Sequence, residues 1–243
     1  MLVAVLSDIH GNRHALEAVL DDVATSGATD LWCLGDVVGY GADPTDCVDE
    51  IIANAALCLA GNHDLAVTGE LQLDDFSRGA ALAARWTQEV LPAEQLAFLA
   101  SLSSQGEAGG IGLYHASPRD PVWEYVLSAL LAELCFDAQP ERLALIGHSH
   151  VALSFVRRQG EPATGEKRRG GDVVDVAEGE WLLNPGSVGQ PRDGDARAAW
   201  LLLDTGSWQA EWRRTPYDIA GAAAAIRAAR LPESLAERLE YGQ

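Results

Sequence analysis

The stretch Ser7-Asp8-Ile9-His10-Gly11-Asn12 directly follows an apolar run over residues 2–6. The apolar run is typical of a buried strand, and a helical pattern begins at Arg13. Residues two apart in an extended chain point to the same side, so Asp8 and His10 offer an oxygen and a nitrogen together. The pair predicts half of a metal site, and the alternative is a cap for the helix that follows.

The distribution of histidines favours the metal interpretation. The chain has 6 histidines, and five of them stand in polar turns at the ends of apolar runs. These five are His10, His63, His115, His148 and His150. Imidazole nitrogens that recur at strand ends predict a shared metal site better than any single motif does.

The first part of the chain alternates strand, polar turn and helix. Strands are predicted over residues 2–6, 31–34 and 56–60, with helices from Arg13 and over residues 44–55. This order predicts an α/β fold with parallel strands, and ligands of such sheets collect at the carboxyl ends of the strands. One edge of the sheet should therefore present Asp8, His10, Asp36, Asn62 and His63.

The rest of the chain predicts further strands and helices with no linker or internal repeat, so one domain over residues 1–243 is the simpler expectation. Residues 159–171 are polar, glycine-rich and basic, which predicts a solvent-exposed hairpin loop. Helices are predicted over residues 75–102 with a break at Leu91-Pro92, over 122–136, and in a tail over about 216–243. Strands are predicted over residues 109–115, 143–146, 151–156, 181–183, 198–203 and 208–213.

Composition excludes several kinds of partner. The net charge of -19 argues against non-specific binding to nucleic acid or to an anionic membrane, since both need clustered Lys and Arg. The 4 cysteines show no metal-binding spacing, and no apolar run reaches the length of about 20 residues that spans a bilayer. A cytoplasmic location is expected, and the oligomeric state stays open.

Seven side chains offer oxygen or imidazole donors and no thiolate. They suit Mn, Fe, Zn, Co or Ni better than Ca or a structural zinc. The set is too large for one ion, but it suits two ions about 3.5 to 4 Å apart that share a carboxylate. Asp36, which lies among glycines, is the best candidate bridge. The full set is Asp8, His10, Asp36, Asn62, His115, His148 and His150.

Five motifs contain the candidate residues: Asp8-x-His10, Gly35-Asp36-x-x-Gly39, Gly61-Asn62-His63-Asp64, a lone His115 and Gly147-His148-x-His150. In order and spacing these motifs resemble those of the calcineurin-like metallophosphoesterases. The resemblance covers about residues 1–204, and the turn at residues 184–192 is typical of the small prokaryotic phosphodiesterase branch.

The resemblance implies a four-layer α/β/β/α sandwich with two metal ions at the carboxyl ends of the strands, Mn or Fe being favoured and Zn, Ni or Co being possible. It implies one ion held by Asp8, His10 and His150. It implies a second ion held by Asn62, His115 and His148, with Asp36 shared. His63 matches the histidine that contacts the scissile phosphate and can protonate the leaving oxygen.

The implied function is hydrolysis of a phosphodiester or a related small nucleotide-like substrate. Two ions would lower the pKa of a bridging water, so that hydroxide can attack the phosphorus near neutral pH. Phosphomonoesterase or phosphoprotein phosphatase activity on the same site is the alternative within enzymes. A non-catalytic metal-binding scaffold is the alternative outside them.

One departure from the family pattern concerns His63, the candidate general acid. In the protein phosphatase branch an aspartate and an arginine stand at the positions of Gly39 and Tyr40, so Asp64 is the remaining candidate to orient His63. A diester with a good leaving group needs less protonation, which favours a nucleotide-type diester or a dinucleoside polyphosphate.

Three residues are candidates for further phosphate contacts: Asn12, Arg13 and Arg192. Asn12 could instead cap the first helix, and Arg192 could pair with a surface carboxylate. Residues 123–125, Trp-Glu-Tyr, could form a wall against a nucleobase, and the alternative is that these aromatics belong to the core.

Overall fold

The computed structural model describes every residue from Met1 to Gln243 as twelve strands and eight α-helices. The strands are β1 (Leu2–Leu6), β2 (Asp30–Cys33), β3 (Leu57–Cys58), β4 (Gln105–Ala108), β5 (Ile111–Tyr114), β6 (Leu143–Leu145), β7 (Ala152–Arg157), β8 (Thr164–Lys167), β9 (Val173–Asp175), β10 (Glu180–Pro185), β11 (Ala198–Asp204) and β12 (Gln209–Thr215). The helices are α1 (Arg13–Ser26), α2 (Pro44–Asn54), α3 (Asn62–Thr68), α4 (Arg78–Val90), α5 (Ala93–Ala100), α6 (Ala129–Phe136), α7 (Ile219–Ala228) and α8 (Glu233–Tyr241).

The strands form two sheets of six. The first has the order β3-β2-β1-β11-β12-β9, and the second has the order β4-β5-β6-β10-β7-β8. Neighbours β1, β2 and β3 are parallel, as are β5, β6 and β10. Because the three parallel strands of each sheet run in the same direction, their carboxyl ends meet at one edge.

The two sheets pack face to face through one apolar core. Val3 and Val5 of β1 lie in this core with Leu113 and Leu145 of the second sheet. The residue between them, Ala4, faces the other way, because side chains alternate along a strand. Side chains on both faces of β1 are therefore buried, as expected for a strand in a sheet that is covered on each side.

Helices cover both outer faces. Helices α1, α2 and α5 pack on the first sheet, and α6 packs on the second. The predicted four-layer α/β/β/α sandwich is therefore confirmed. Helices α7 and α8 form a further cluster with α4 and with Tyr40. None of the eight helices combines the length and apolarity that a bilayer crossing requires.

The largest error in the predicted elements is the helix over residues 122–136, which begins only at Ala129. The Asp120 carboxylate accepts hydrogen bonds from the backbone N–H groups of Val122 and Trp123, and this turn competes with a helix. The Ser128 side chain then caps α6 by accepting a hydrogen bond from the N–H of Leu131.

Smaller differences concern short or exposed elements. The predicted loop at 159–171 contains β8, whose four residues are all exposed and therefore show no apolar alternation. Strand β3 is shorter than predicted, and α3, β4 and β9 were not predicted. The helical tail is two helices, because Pro232 interrupts the pattern after Leu231.

Candidate metal centre

The candidate ligands follow the carboxyl ends of the parallel strands of both sheets. Five of them adopt the left-handed backbone conformation, with φ between 54° and 61°. Non-glycine residues pay on the order of 1 kcal/mol for this conformation. The five are Asp8, His10, Asp36, His148 and His150. Strain at so many neighbouring residues indicates that the turns are shaped for the positions of their side chains.

Backbone hydrogen bonds hold these turns against one another. The N–H groups of Asp8 and His10 donate to the carbonyls of Gly35 and Asp36, at 3.0 and 2.9 Å. The N–H of Gly147 donates to the carbonyl of His115 at 2.7 Å. Backbone hydrogen bonds therefore fix the ligand turns of each sheet relative to one another.

The candidate ligand atoms gather into two groups. In the first, the Oδ1 atom of Asp8 lies 3.8 Å from Nε2 of His10 and 3.4 Å from Nε2 of His150. The second joins Asp36, His115 and His148, and the Oδ1 of Asn62 lies 3.2 Å from Nε2 of His115. Ligands about 2.1 Å from one ion lie about 3 to 3.4 Å apart, so both groups are close to the spacing of a metal site.

Asp36 belongs to both groups through one oxygen. Its Oδ2 lies 3.5 Å from Nε2 of His10 and 3.6 Å from Nε2 of His115. Its Oδ1 accepts a hydrogen bond from the backbone N–H of His63 at 2.8 Å. A side chain at Gly61 would overlap this carboxylate, so glycine is required there. Asp36 therefore has the position of a bridging ligand.

Hydrogen bonds to the backbone orient the imidazole rings. The Nδ1 atoms of His10, His115 and His150 lie 3.1, 2.9 and 2.6 Å from the carbonyls of Val38, Leu34 and Gln190. A carbonyl only accepts, so Nδ1 must carry the proton and each Nε2 is a free acceptor that faces the cluster. This arrangement is typical of histidines that bind metals.

The cluster lacks the positive charge that these acceptors require. The Nε2 atoms of His10 and His150 lie 3.1 Å apart, although neither can donate. Three further buried acceptors have no hydrogen-bond partner: Oδ1 of Asp8, Oδ2 of Asp36 and Nε2 of His148. All belong to the two groups. Buried acceptors that face one another unpaired fit a pair of cations.

Burial shifts the pKa values of these groups in a consistent direction. It raises the pKa of Asp8 to about 7 and that of Asp36 well above its usual range. It lowers the pKa values of His10, His148 and His150, with the charge of Arg192 a further cause. Each shift favours the neutral form, which a nearby cation would reverse for the carboxylates.

Comparison with known proteins agrees with this geometry. The calcineurin-like phosphoesterase superfamily domain matches residues 1–207. The chain belongs to this superfamily. Calcineurin-like phosphoesterases are hydrolases that act on phosphate esters.

Three relatives of this calcineurin-like phosphoesterase show how far the similarity extends. An uncharacterized protein of Methanocaldococcus jannaschii is 39% identical over 248 residues, covering 100% of this chain and 98% of that protein. A metallophosphoesterase from Sphaerobacter thermophilus is 40% identical, with a TM-score of 0.91 over 100% of this chain and 99% of the other. A symmetrical bis(5'-nucleosyl)-tetraphosphatase of Erwinia tasmaniensis is 37% identical over 68 residues, which is 27% of this chain and 25% of that protein.

The His63 ring of this phosphoesterase lies beside the two groups. Its centroid is 4.9 Å from that of His10 and 4.4 Å from that of Tyr40. A Cβ at Gly39 would come within 2.5 Å of Nδ1 of His63, so the ring occupies the space of a side chain at that position. Nδ1 is buried without a partner, and burial lowers the His63 pKa to about 3.

The predicted role of Asp64 in orienting His63 is not supported. The Asp64 carboxylate accepts hydrogen bonds from the backbone N–H groups of Val37, Val38 and Gly61, at 3.3, 3.1 and 2.9 Å. Because both oxygens are used, Asp64 makes no hydrogen bond to the imidazole. It holds the Asp36 turn against the start of α3.

Asn12 and Arg13 are not placed for substrate contact. The Asn12 side chain caps α1 by accepting a hydrogen bond from the N–H of Ala15, and it donates to the carbonyl of Gly189. Arg13 pairs with Glu17 on the surface of α1, at 3.1 Å. Nε of Arg13 also lies 3.9 Å from the Asp43 carboxylate and 3.8 Å from the Asp46 carboxylate.

The two groups open into a cleft of about 340 Å³ that the remaining candidates line. Arg192 and the aromatic rings of Trp123 and Tyr125 lie in its wall, whereas Glu124 turns away to accept a hydrogen bond from Ser117. Phe76 and Arg238 also line the cleft, and no pattern in the sequence indicated either residue. Both come from segments without a motif.

Proposed function

We propose that this protein is a dinuclear metal-dependent phosphodiesterase that acts on a small nucleotide-like substrate. The observation that supports this most directly is Oδ2 of Asp36, which lies within 3.6 Å of histidine nitrogens from both groups. One carboxylate oxygen between two sets of acceptors is the arrangement that two ions share. We propose Mn or Fe as the ions, since mixed oxygen and imidazole ligands suit both.

The proposed ligands divide as the two groups do. Asp8, His10 and His150 hold one ion, and Asn62, His115 and His148 hold the other. Bound ions supply a water of lowered pKa and positive charge for the phosphoryl oxygens. The chain supplies the orientation, since the backbone carbonyls that accept from Nδ1 fix each ring before a substrate enters.

Arg192 and His63 complete the environment of the phosphate. Arg192 lies over the ring of Tyr40, with Cζ 5.7 Å from the ring centroid, and its charge lowers the pKa of His63. A planar guanidinium there can donate two parallel hydrogen bonds to two oxygens of one phosphoryl group. A neutral His63 can donate one hydrogen bond to an oxygen of the ester.

A diester is favoured over a phosphoprotein for three reasons. No carboxylate contacts Nδ1 of His63, so the ring has no partner that would stabilise its protonated form. Good leaving groups need little protonation. Phe76 and Trp123 also place aromatic rings 5.2 Å apart along the cleft, where a planar base could pack. The partial similarity to a bis(5'-nucleosyl)-tetraphosphatase points to the same class of substrate.

A substrate panel tests the proposal. Protein stripped of metal and reloaded with Mn should hydrolyse bis(p-nitrophenyl) phosphate and at least one nucleotide diester or dinucleoside polyphosphate faster than p-nitrophenyl phosphate. The chelated protein is the control and should be inactive. Faster turnover of phosphomonoesters or phosphopeptides would reassign the substrate class, and no metal-dependent hydrolysis would contradict the enzyme itself.

His63→Ala should reduce kcat most for substrates with poor leaving groups. A protonating or hydrogen-bonding group contributes about 10²-fold or more when the leaving oxygen is basic, and less when it is not. The measurement is a series of aryl phosphodiesters of increasing phenol pKa, compared between the variant and the wild type. Equal losses across the series would show that His63 only positions the phosphate.

A further inference from the structure

Two arginines meet on one buried amide at the rim of the cleft. Nη2 of Arg192 donates to Oε1 of Gln190 at 2.9 Å, and Nη1 of Arg238 approaches the same oxygen at 3.4 Å. Arg192 comes from the turn after β10, whereas Arg238 comes from α8. Both line the cleft beside the metal ligands.

Gln190 ties this pair to the metal centre. The residue is only 2% exposed, and its backbone N–H donates to Oγ of Ser187 at 2.8 Å. Its carbonyl lies 2.6 Å from Nδ1 of His150. Gln190 therefore orients a candidate metal ligand, His150, through its backbone. Through its side chain it contacts both guanidinium groups.

The two arginines differ in their distance from the reacting centre. The backbone N–H of Arg192 donates to the carbonyl of His150 at 3.0 Å, and its guanidinium lies over the ring of Tyr40, whose centroid is 4.7 Å from that of His10. Arg238 reaches the cleft from α8 and contacts Gln190 at 3.4 Å. Arg192 is thus the inner of the two, close to a phosphate at the metals, and Arg238 is the outer.

Neither guanidinium forms an ion pair, although the chain has 36 Asp and Glu against 17 Lys and Arg. Their shared partner is a neutral amide, and Nε of Arg192 is buried without any partner. Two positive charges that converge at a cleft without an ion-pair partner attract anions to it. The exposed carboxylate of Asp75 also lines the cleft but pairs with neither arginine.

We infer that Arg238, held beside Arg192 on Gln190, binds a second anionic group of the substrate, one that lies outside the metal centre. The inference rests on the proposed function and narrows it to substrates with more than one phosphate, such as dinucleoside polyphosphates. Arg238 lies beyond residues 1–207, the part that the family domain matches, so the C-terminal helices add this specificity to the shared fold.

The test compares two substrates on metal-loaded protein: diadenosine tetraphosphate and bis(p-nitrophenyl) phosphate, which has a single phosphate. Arg238→Gln should lower kcat/KM for the tetraphosphate about tenfold more than for the single-phosphate diester, mainly through KM. One charge-assisted contact to phosphate accounts for a change of this size. Arg238→Lys should recover part of the loss, because it keeps the charge but not the planar fork.

Arg169→Gln is the matched control, because it removes the same charge from an exposed position in the loop between β8 and β9. It should leave both substrates at wild-type rates, and melting curves of all variants should confirm that they fold. Equal losses on both substrates would overturn the inference, as would wild-type protein that hydrolyses the diester and not the tetraphosphate. Wild-type protein that hydrolyses neither would instead contradict the proposed function.

Discussion

Asp36→Asn should lower kcat/KM by at least about 10³-fold while the protein stays folded. The substitution keeps the shape of the side chain but removes the negative charge that both ligand groups share through Oδ2. An amide oxygen is too weak a ligand to bridge two cations. Steady-state hydrolysis of a chromogenic diester measures the loss, and circular dichroism with a melting curve measures the fold.

Asp74→Asn is the matched control for this substitution. Asp74 is an exposed carboxylate in the short 3-10 helix over residues 73–75, and it does not line the cleft. The Asp74→Asn variant should retain wild-type activity. Near wild-type turnover of Asp36→Asn would rule out the bridging role.

Added Mn should raise the melting temperature of the metal-free protein by about 5 to 10 °C, and more near pH 7.5 than near pH 6. Ions that bind only the folded state stabilise it by mass action. In the metal-free protein the pKa of Asp8 is raised to about 7, so the folded state binds a proton that the unfolded state releases above about pH 3.9. That proton stabilises the metal-free fold at low pH, and this contribution is lost as pH rises through 7.

Because an ion must displace the same proton, metal binding is weaker below the folded pKa. Paired melting curves with and without Mn at the two pH values give the comparison. Asp8→Asn serves as the control, since it has no proton to displace and should show a smaller gain with less dependence on pH. Equal gains for wild-type protein at both pH values would contradict the role of Asp8.

The elements that sequence predicts best are those whose pattern the core enforces. Strand β1 and helix α1 were located within a residue, because Val3, Val5 and Leu16 repeat at the period of the element and are fully buried. Strand β8 has no buried residue, and its pairing with β7 comes from backbone hydrogen bonds that leave no mark in the sequence. The predicted helix over residues 122–136 was wrong at residues 122–128 for another reason. The Asp120 carboxylate redirects the backbone there.

The candidate site also has residues that sequence predicts and residues that it does not. The seven proposed ligands were all predicted, because each stands in a polar segment that follows a predicted strand and the topology brings strand ends together. Their ligand roles stay a prediction. Asp64 was assigned to His63 from proximity in sequence, whereas the structure shows it bound to backbone N–H groups, which sequence cannot display. Arg238 stands on a helix about 46 positions after Arg192, and no spacing connects the two.

Each proposed ion takes its ligands from both sheets. For one ion, Asp8 and His10 follow β1 of the first sheet, and His150 follows β6 of the second. For the other ion, Asn62 follows a strand of the first sheet, and His115 and His148 follow strands of the second. Sliding of one sheet over the other would therefore break both sets of bonds at once. With both proposed ions bound, metal bonds would link the two sheets in addition to their shared apolar core, so the ions proposed for catalysis would also oppose separation of the two layers.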